Sequence, residues 1–214
     1  MPAGAMCLHS TNKDNTFAYS KKRTMTAEQT KDFMQSSEWV SIATELRPVK
    51  DRKGTSNILP FYCWRSFQFT VGDKFTCTVI NFADAGGKVP LVRIVIKGHN
   101  EWKGEHPVAQ DAYSVDYIAD EAYEVTPLHQ GFADGINQLP SNNLNKWEVN
   151  VMQDIKGKAF PAFGLADGQI YVDYDLVYAL NDLLFMGSKH VDGRAFDTPE
   201  NRPTNLQIPL MKKK

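Results

Sequence analysis

The 214-residue sequence predicts a mainly β protein: an antiparallel barrel, or a strongly curved open barrel, of about eight or nine strands behind a short N-terminal helix. Three observations carry that expectation. Runs of β-branched and aromatic residues recur at short spacing between Gly, Pro and Asn turns. Phe61–Val71 and Lys74–Phe82 flank Gly72-Asp73, a loop of the kind that closes tight hairpins. Too few helical stretches separate the runs for a parallel α/β sheet. Neither a fixed-period repeat nor a linker interrupts residues 26–211, which read as one barrel domain behind a polar tail, 1–25.

The elements follow in chain order. Thr26 to Trp39 reads as a short helix: Thr26 can cap, Gln29 stands three residues on as in a capping box, and Phe33 and Met34 supply an apolar side. Ser36–Leu46 is the first strand, stopped by Arg47-Pro48 and the charged turn Lys50 to Gly54. With a two-residue hairpin loop, Val71 pairs with Lys74. One face then carries Arg65, Phe67, Phe69, Thr76, Thr78 and Ile80, and the other Trp64, Ser66, Gln68, Phe75, Cys77, Val79 and Asn81. Neither face is apolar throughout, which suits a lining that meets a partly polar ligand or an imperfectly patterned edge hairpin. Leu91–His99 alternates Val and Ile with Arg93 and Lys97, and Ala112–Ile118, Glu121–Thr126, Trp147–Ile155 and Gln169–Tyr174 have strand composition. Leu176–Met186 fits a helix or a strand equally, and Gln130–Asn145 reads as a surface loop.

Lys plus Arg total 24 against 25 Asp plus Glu, a net charge of -1, which argues against a nucleic-acid partner because phosphate contacts need a concentrated basic excess. The basic ends, Lys21 to Arg23 and Lys212 to Lys214, read as solvated tails. No apolar run reaches the roughly 18 residues of a transmembrane helix. Residues 1–24 lack the apolar core of a secretory signal; a disordered tail and a transit peptide both fit them, with Met25 the start in the second case. Cys63 and Cys77 fall out of register for a bridge, Cys7 is left over, and a reducing, cytoplasmic setting is expected.

No phosphate-cradling glycine pattern, nucleophile elbow or zinc-ligand spacing occurs, and no cofactor or metal is expected. His99 and His106 flank Trp102 across a glycine-containing rim where loop chemistry collects, although a lone histidine is more often structural. The stretch Gly187–Asp197 offers His190 with Asp192 as a proton-transfer pair and Arg194 as an anion anchor; an ordered loop tied by an Arg–Asp pair is the plainer reading. Glu45 and Arg47 share one strand face, where they can neutralise each other.

These clusters also carry a family likeness. Trp39-Val40-Ser41 followed by Glu45-Leu46-Arg47-Pro48 resembles the opening of the adenomatosis polyposis coli down-regulated domain. Phe67-x-Phe69…Phe75, Asp84, Pro90 and Lys97-Gly98 continue the match. Gly187-x-x-His190-x-Asp192, Arg202-Pro203-Thr204, Gln207 and Pro209-Leu210 resemble its closing segment. The likeness spans roughly residues 36 to 210 and implies a lipocalin-like open barrel whose apolar cavity accepts an acyl chain. Family members in animals are paired-domain, disulfide-bonded Wnt antagonists. This chain has one domain copy, Thr44 where the family has cysteine, and no cysteine between Asp84 and Pro90, so that activity does not carry over.

The leading expectation is binding of a fatty acid- or terpenoid-like small molecule with a polar or anionic end. Trp64, Phe67, Trp102, Tyr113 and Tyr117 would line the cavity, and Arg47 or Arg194 would receive the head group. The alternative is a cofactor-independent isomerase, cyclase or dehydratase using His99, His106, Asp116, His190, Asp192 and Arg194. A third reading is an interaction module presenting exposed Trp102 and Phe163 to a protein partner. The oligomeric state stays open. An apolar pocket with one charged end favours carriage; convergent His, Asp and Arg side chains favour catalysis.

Overall fold

A computed structural model describes residues 25–51, 57–140 and 143–214. The readings of the tail through residue 24, of Cys7, and of the turn at 52–54 lie outside the described residues.

Helix α1 (Ala27–Gln35) begins where the capping box places it: Gln29 N donates to Thr26 Oγ1 at 3.2 Å, and Thr26 N donates to the Gln29 side chain at 3.0 Å. The expected first strand is two, β1 (Glu38–Ser41) and β2 (Glu45–Lys50), separated by Ile42-Ala43-Thr44. β3 (Ile58–Thr70), β4 (Lys74–Phe82), β5 (Pro90–Glu105) and β6 (Tyr113–Pro127) form a meander. Ala112–Ile118 and Glu121–Thr126 thus belong to one strand, kept continuous across an irregularity in the β5–β6 pairing between Lys97 and His99. Gly98 sits at that irregularity, where a Cβ would lie 1.8 Å from the Ile118 carbonyl oxygen.

Further on, the expected loop at Gln130–Asn145 contains a helix, α2 (Gln130–Asn137). Of the expected strand Trp147–Ile155 only β7 (Gln153–Asp154) is formed, because this stretch packs as a cap rather than a ladder. β8 (Val172–Leu180) and β9 (Leu183–Met186) resolve the ambiguous apolar run as a hairpin around Asn181-Asp182, with Asn181 at φ 55°. β10 (Leu210–Lys212) is the last strand.

The ten strands of the described residues form one antiparallel sheet, and eight of them close into a hydrogen-bonded ring. β3 to β6 pair in order, then β8, β9 and β10, and β1 completes the circle between β10 and β3. At that closure Trp39 lies opposite Lys212 on one side and Phe67 on the other, and its indole donates to the Met34 carbonyl at 2.7 Å. β2 pairs with β3 alone, so the barrel wall is split between β2 and residues 205–209, which follow β9 instead.

The hairpin loop is Val71-Gly72-Asp73, three residues long, with Gly72 and Asp73 at positive φ. Thr70 therefore pairs with Lys74, and the register is one residue from the expected one. Such a slip exchanges faces along one strand relative to the other. The face that results carries Cys63, Arg65, Phe67, Phe69, Phe75, Cys77 and Val79: apolar, with one guanidinium in its midst.

The interior has two apolar tiers. The first joins Met34 of α1 to Trp39, Phe67, Phe75, Tyr117, Leu184 and Leu210. The second joins Val92, Ile94, Tyr123 and Val125 to the cap formed by Ile136, Trp147, Ile155 and Phe160. No helix among the described residues is long and apolar enough to cross a membrane.

Gly98→Ala is expected to cost about 3 kcal/mol by overpacking the β5–β6 contact. Urea denaturation checks this, and a loss below about 0.5 kcal/mol would mean that the strands can part freely there.

Candidate ligand cavity

A cavity of about 180 Å³ lies between the two tiers. Strand alternation supplies its walls: Phe61, Cys63, Arg65 and Phe67 from β3 and its approach, Phe75, Cys77 and Val79 from β4, and Ile94 and Ile96 from β5. Tyr117 and Tyr123 of β6, Tyr171, Asp173 of β8, Arg47 of β2 and Lys189 complete the lining. Three cations and one carboxylate therefore face an otherwise apolar and aromatic space.

The arginines are held by Glu45. Its Oε1 accepts from Arg65 Nε at 3.0 Å, Oε2 lies 3.4 Å from Arg47 Nη1, and Ser41 Oγ donates to the same carboxylate. Burial opposes ionisation of Glu45, but Arg65 and then Arg47 outweigh it and hold its pKa below the usual value. Burial likewise opposes the Arg65 charge, and Glu45 overcomes it. Arg47 Nη1 also donates to Gln207 Oε1 at 2.6 Å, across the split in the wall.

Two residues of the lining carry a buried donor with no hydrogen-bond partner among the described residues: Arg65, 7% exposed, through Nη2, and Tyr117, 3% exposed, through its hydroxyl. An unmade bond of this kind costs about 1–3 kcal/mol. Burial, then Asp175 and Asp173, push the Tyr117 hydroxyl well above its ordinary pKa, so it stays a donor. Tyr171 donates to Asp173 Oδ1 at 3.1 Å. Burial lowers the pKa of Lys189 against the pull of Asp173; its ammonium reaches only the Arg194 carbonyl at 3.3 Å and the face of Phe196 at 4.3 Å. Burial raises the thiols, Cys63 to about 11 and Cys77 to about 12, which leaves both protonated and poor nucleophiles.

Behind this wall, Asp175 is 1% exposed; its Oδ1 accepts from Leu176 N at 2.7 Å and Gly187 N at 2.8 Å, and Oδ2 has no partner. Burial first, and the neighbouring Asp173 second, lift its pKa to about 6.

Of the residues expected from sequence to bind ligand, Arg47, Phe67 and Tyr117 line the cavity. Trp64 points to the opposite face of β3 from Cys63 and Arg65. Trp102 and Tyr113 pack edge to face at 5.9 Å, and Tyr113 donates to the Met25 carbonyl, so both belong to the α1 end of the barrel. Neither Trp102 nor Phe163 is exposed as an interaction surface requires; Phe163 meets Phe160 edge to face at 4.9 Å.

None of the six residues expected to carry chemistry lines the cavity. His99 pairs with Asp120 at 3.0 Å on the outside of the sheet. His106 is buried, donates from Nε2 to the Pro203 carbonyl, and accepts Val108 N and Ala109 N at Nδ1. Asp116 binds Arg202, which also donates to the carbonyls of Val115 and Asp175. His190 Nε2 bonds the Asn201 carbonyl at 2.8 Å, while Asp192 accepts from Arg194 N, so the 190–194 stretch is a loop tied to itself. Sequence reasoning passed over Arg65, Tyr171, Asp173, Asp175 and Lys189. A charge within an aromatic strand, and Asp-x-Asp beside Leu and Val, were the available signals.

No family model matches the chain, and no curated protein matches it.

Because the folded-state pKa of Asp175 lies above its unfolded value near 4, the native state holds the extra proton between about pH 4 and pH 6. Its contribution to stability is greatest below about pH 4 and is lost as pH rises through about 6. Asp175→Asn should gain on the wild type across that window by on the order of 2 kcal/mol, read by denaturation from pH 4 to 7. Parallel stability curves would contradict the assignment.

Proposed function

We propose that this protein binds a small hydrophobic molecule carrying an anionic end, and that the anion sits between Arg65 and Tyr117. The single observation that carries the reading is the pair of buried, partnerless donors on one apolar cavity, Arg65 Nη2 and the Tyr117 hydroxyl. A carboxylate offers both the acceptors they lack, and the neighbouring Lys189 and Arg47 add to its attraction. The remaining lining, Phe67, Phe75, Val79, Ile94, Ile96 and Tyr123, suits an aliphatic or ring body. The resemblance to the adenomatosis polyposis coli down-regulated domain supports an apolar guest in a barrel.

Carriage is favoured over catalysis. No histidine among the described residues lines the cavity, its thiols are held protonated, and Asp173 already accepts a bond from Tyr171. A cavity near 180 Å³ has room for roughly the body of a six- to eight-atom guest, since an engineered cavity of about 150 Å³ admits benzene.

Hexanoate is therefore the first probe. Calorimetry should detect its binding, and Tyr117→Phe should weaken it about tenfold while leaving stability unchanged or raised, because the variant removes a buried hydroxyl without a partner. Unaltered affinity in Tyr117→Phe, or no hexanoate binding by the wild type, contradicts the reading.

A further inference from the structure

A groove of about 600 Å³ opens outside the cavity, in the split of the wall between β2 and residues 206–209. Arg47 and Lys189 belong to both linings, so these two side chains stand between the two spaces. The outer lips are apolar where they face water: Ile42 is 53% exposed, Leu46 66% and Ile208 71%. Three large exposed aliphatic side chains, two from residues 41–48 and one from residues 206–209, line one groove, which scattered surface exposure does not explain.

We propose that the groove is a second subsite for the same ligand, which binds with its anion innermost and its apolar tail leading out past Arg47 and Lys189 onto Ile42, Leu46 and Ile208. This rests on the anion-binding reading above. Two observations fix the direction. Arg65 and Tyr117, the residues with partnerless donors, line the inner cavity and not the groove, so the anion belongs at that end. The inner cavity is then too small for the rest of a long chain, whereas the adjoining groove has over three times its volume and an apolar rim. The ligand class is thus an elongated monoanion with about ten or more carbons, aliphatic or terpenoid, rather than a compact aryl acid. Release begins at the tail, and the Arg47–Gln207 contact, which crosses the split, lies beside the tail's path.

Calorimetry with hexanoate, octanoate and decanoate tests this. Affinity should climb about two- to fourfold per methylene beyond hexanoate, as each added group leaves water for the groove. The exposed-site variant Ile42→Ser/Leu46→Ser/Ile208→Ser should bind hexanoate as the wild type does and lose the gain for decanoate, some tenfold or more. Circular dichroism and a thermal melt establish that this variant keeps its fold. Hexanoate binding without any rise along the series, or an equal loss for both acids in the variant, overturns the second subsite and leaves the anion site standing. No binding of any acid overturns both.

Discussion

Charges inside a ring of strands must be paired with one another, because water cannot do it, and here Glu45 is the group on which that pairing turns. It faces Arg65 through Nε and Arg47 through Nη1, with the Ser41 hydroxyl donating to the same carboxylate. A guanidinium stripped of water is costly unless a carboxylate meets it, so this arrangement lets two arginines stand within an aromatic lining. It also leaves work undone. Glu45 satisfies one nitrogen of Arg65, and Nη2 remains buried without a partner in a residue that, like Tyr117, lines the cavity. The proposed recognition of an anion rests on that incomplete satisfaction rather than on any dedicated motif.

The split in the wall lies beside this pairing. β2 stays on β3, where Glu45 reaches Arg65, while residues 205–209 are held to β9. Arg202 fixes this C-terminal stretch by donating to the Val115 and Asp175 carbonyls and to Asp116. Gly187 lets Pro203 and Asp175 approach closer than any side chain would permit, with a Cβ only 2.0 Å from Pro203 Cγ. Of the residues that carry the sequence resemblance, Glu45, Arg47 and Gln207 line the groove at the split, while Gly187, Arg202 and Pro203 pack the C-terminal stretch beside it.

Much of the barrel was legible. The capping box at Thr26 and Gln29, the strand runs and the apolar hairpin all follow from local chemistry. What failed was register. Gly72-Asp73 invites a two-residue loop, but including Val71, 86% exposed, turns the β3 and β4 apolar residues to one side. One face, mixed in the sequence reading, is apolar in the fold except for Arg65, while Trp64 and Ile80 remain on the other. The histidines misled for a different reason. Their backbone partners, the Pro203 carbonyl for His106 and the Asn201 carbonyl for His190, lie 97 and 11 residues away, and nothing in sequence spacing announces a ring tied to a distant main chain. Lys189 was hidden likewise, because its place on the cavity depends on how the C-terminal segment folds back.

The claim at the centre is that the anion lies deepest. A crystal structure of the protein with decanoate addresses it most directly. The account predicts the carboxylate within hydrogen-bonding distance of Arg65 Nη2 and the Tyr117 hydroxyl, with the alkyl chain running out between Arg47 and Lys189. A decanoate whose methyl end occupies the inner cavity and whose carboxylate faces solvent would contradict it.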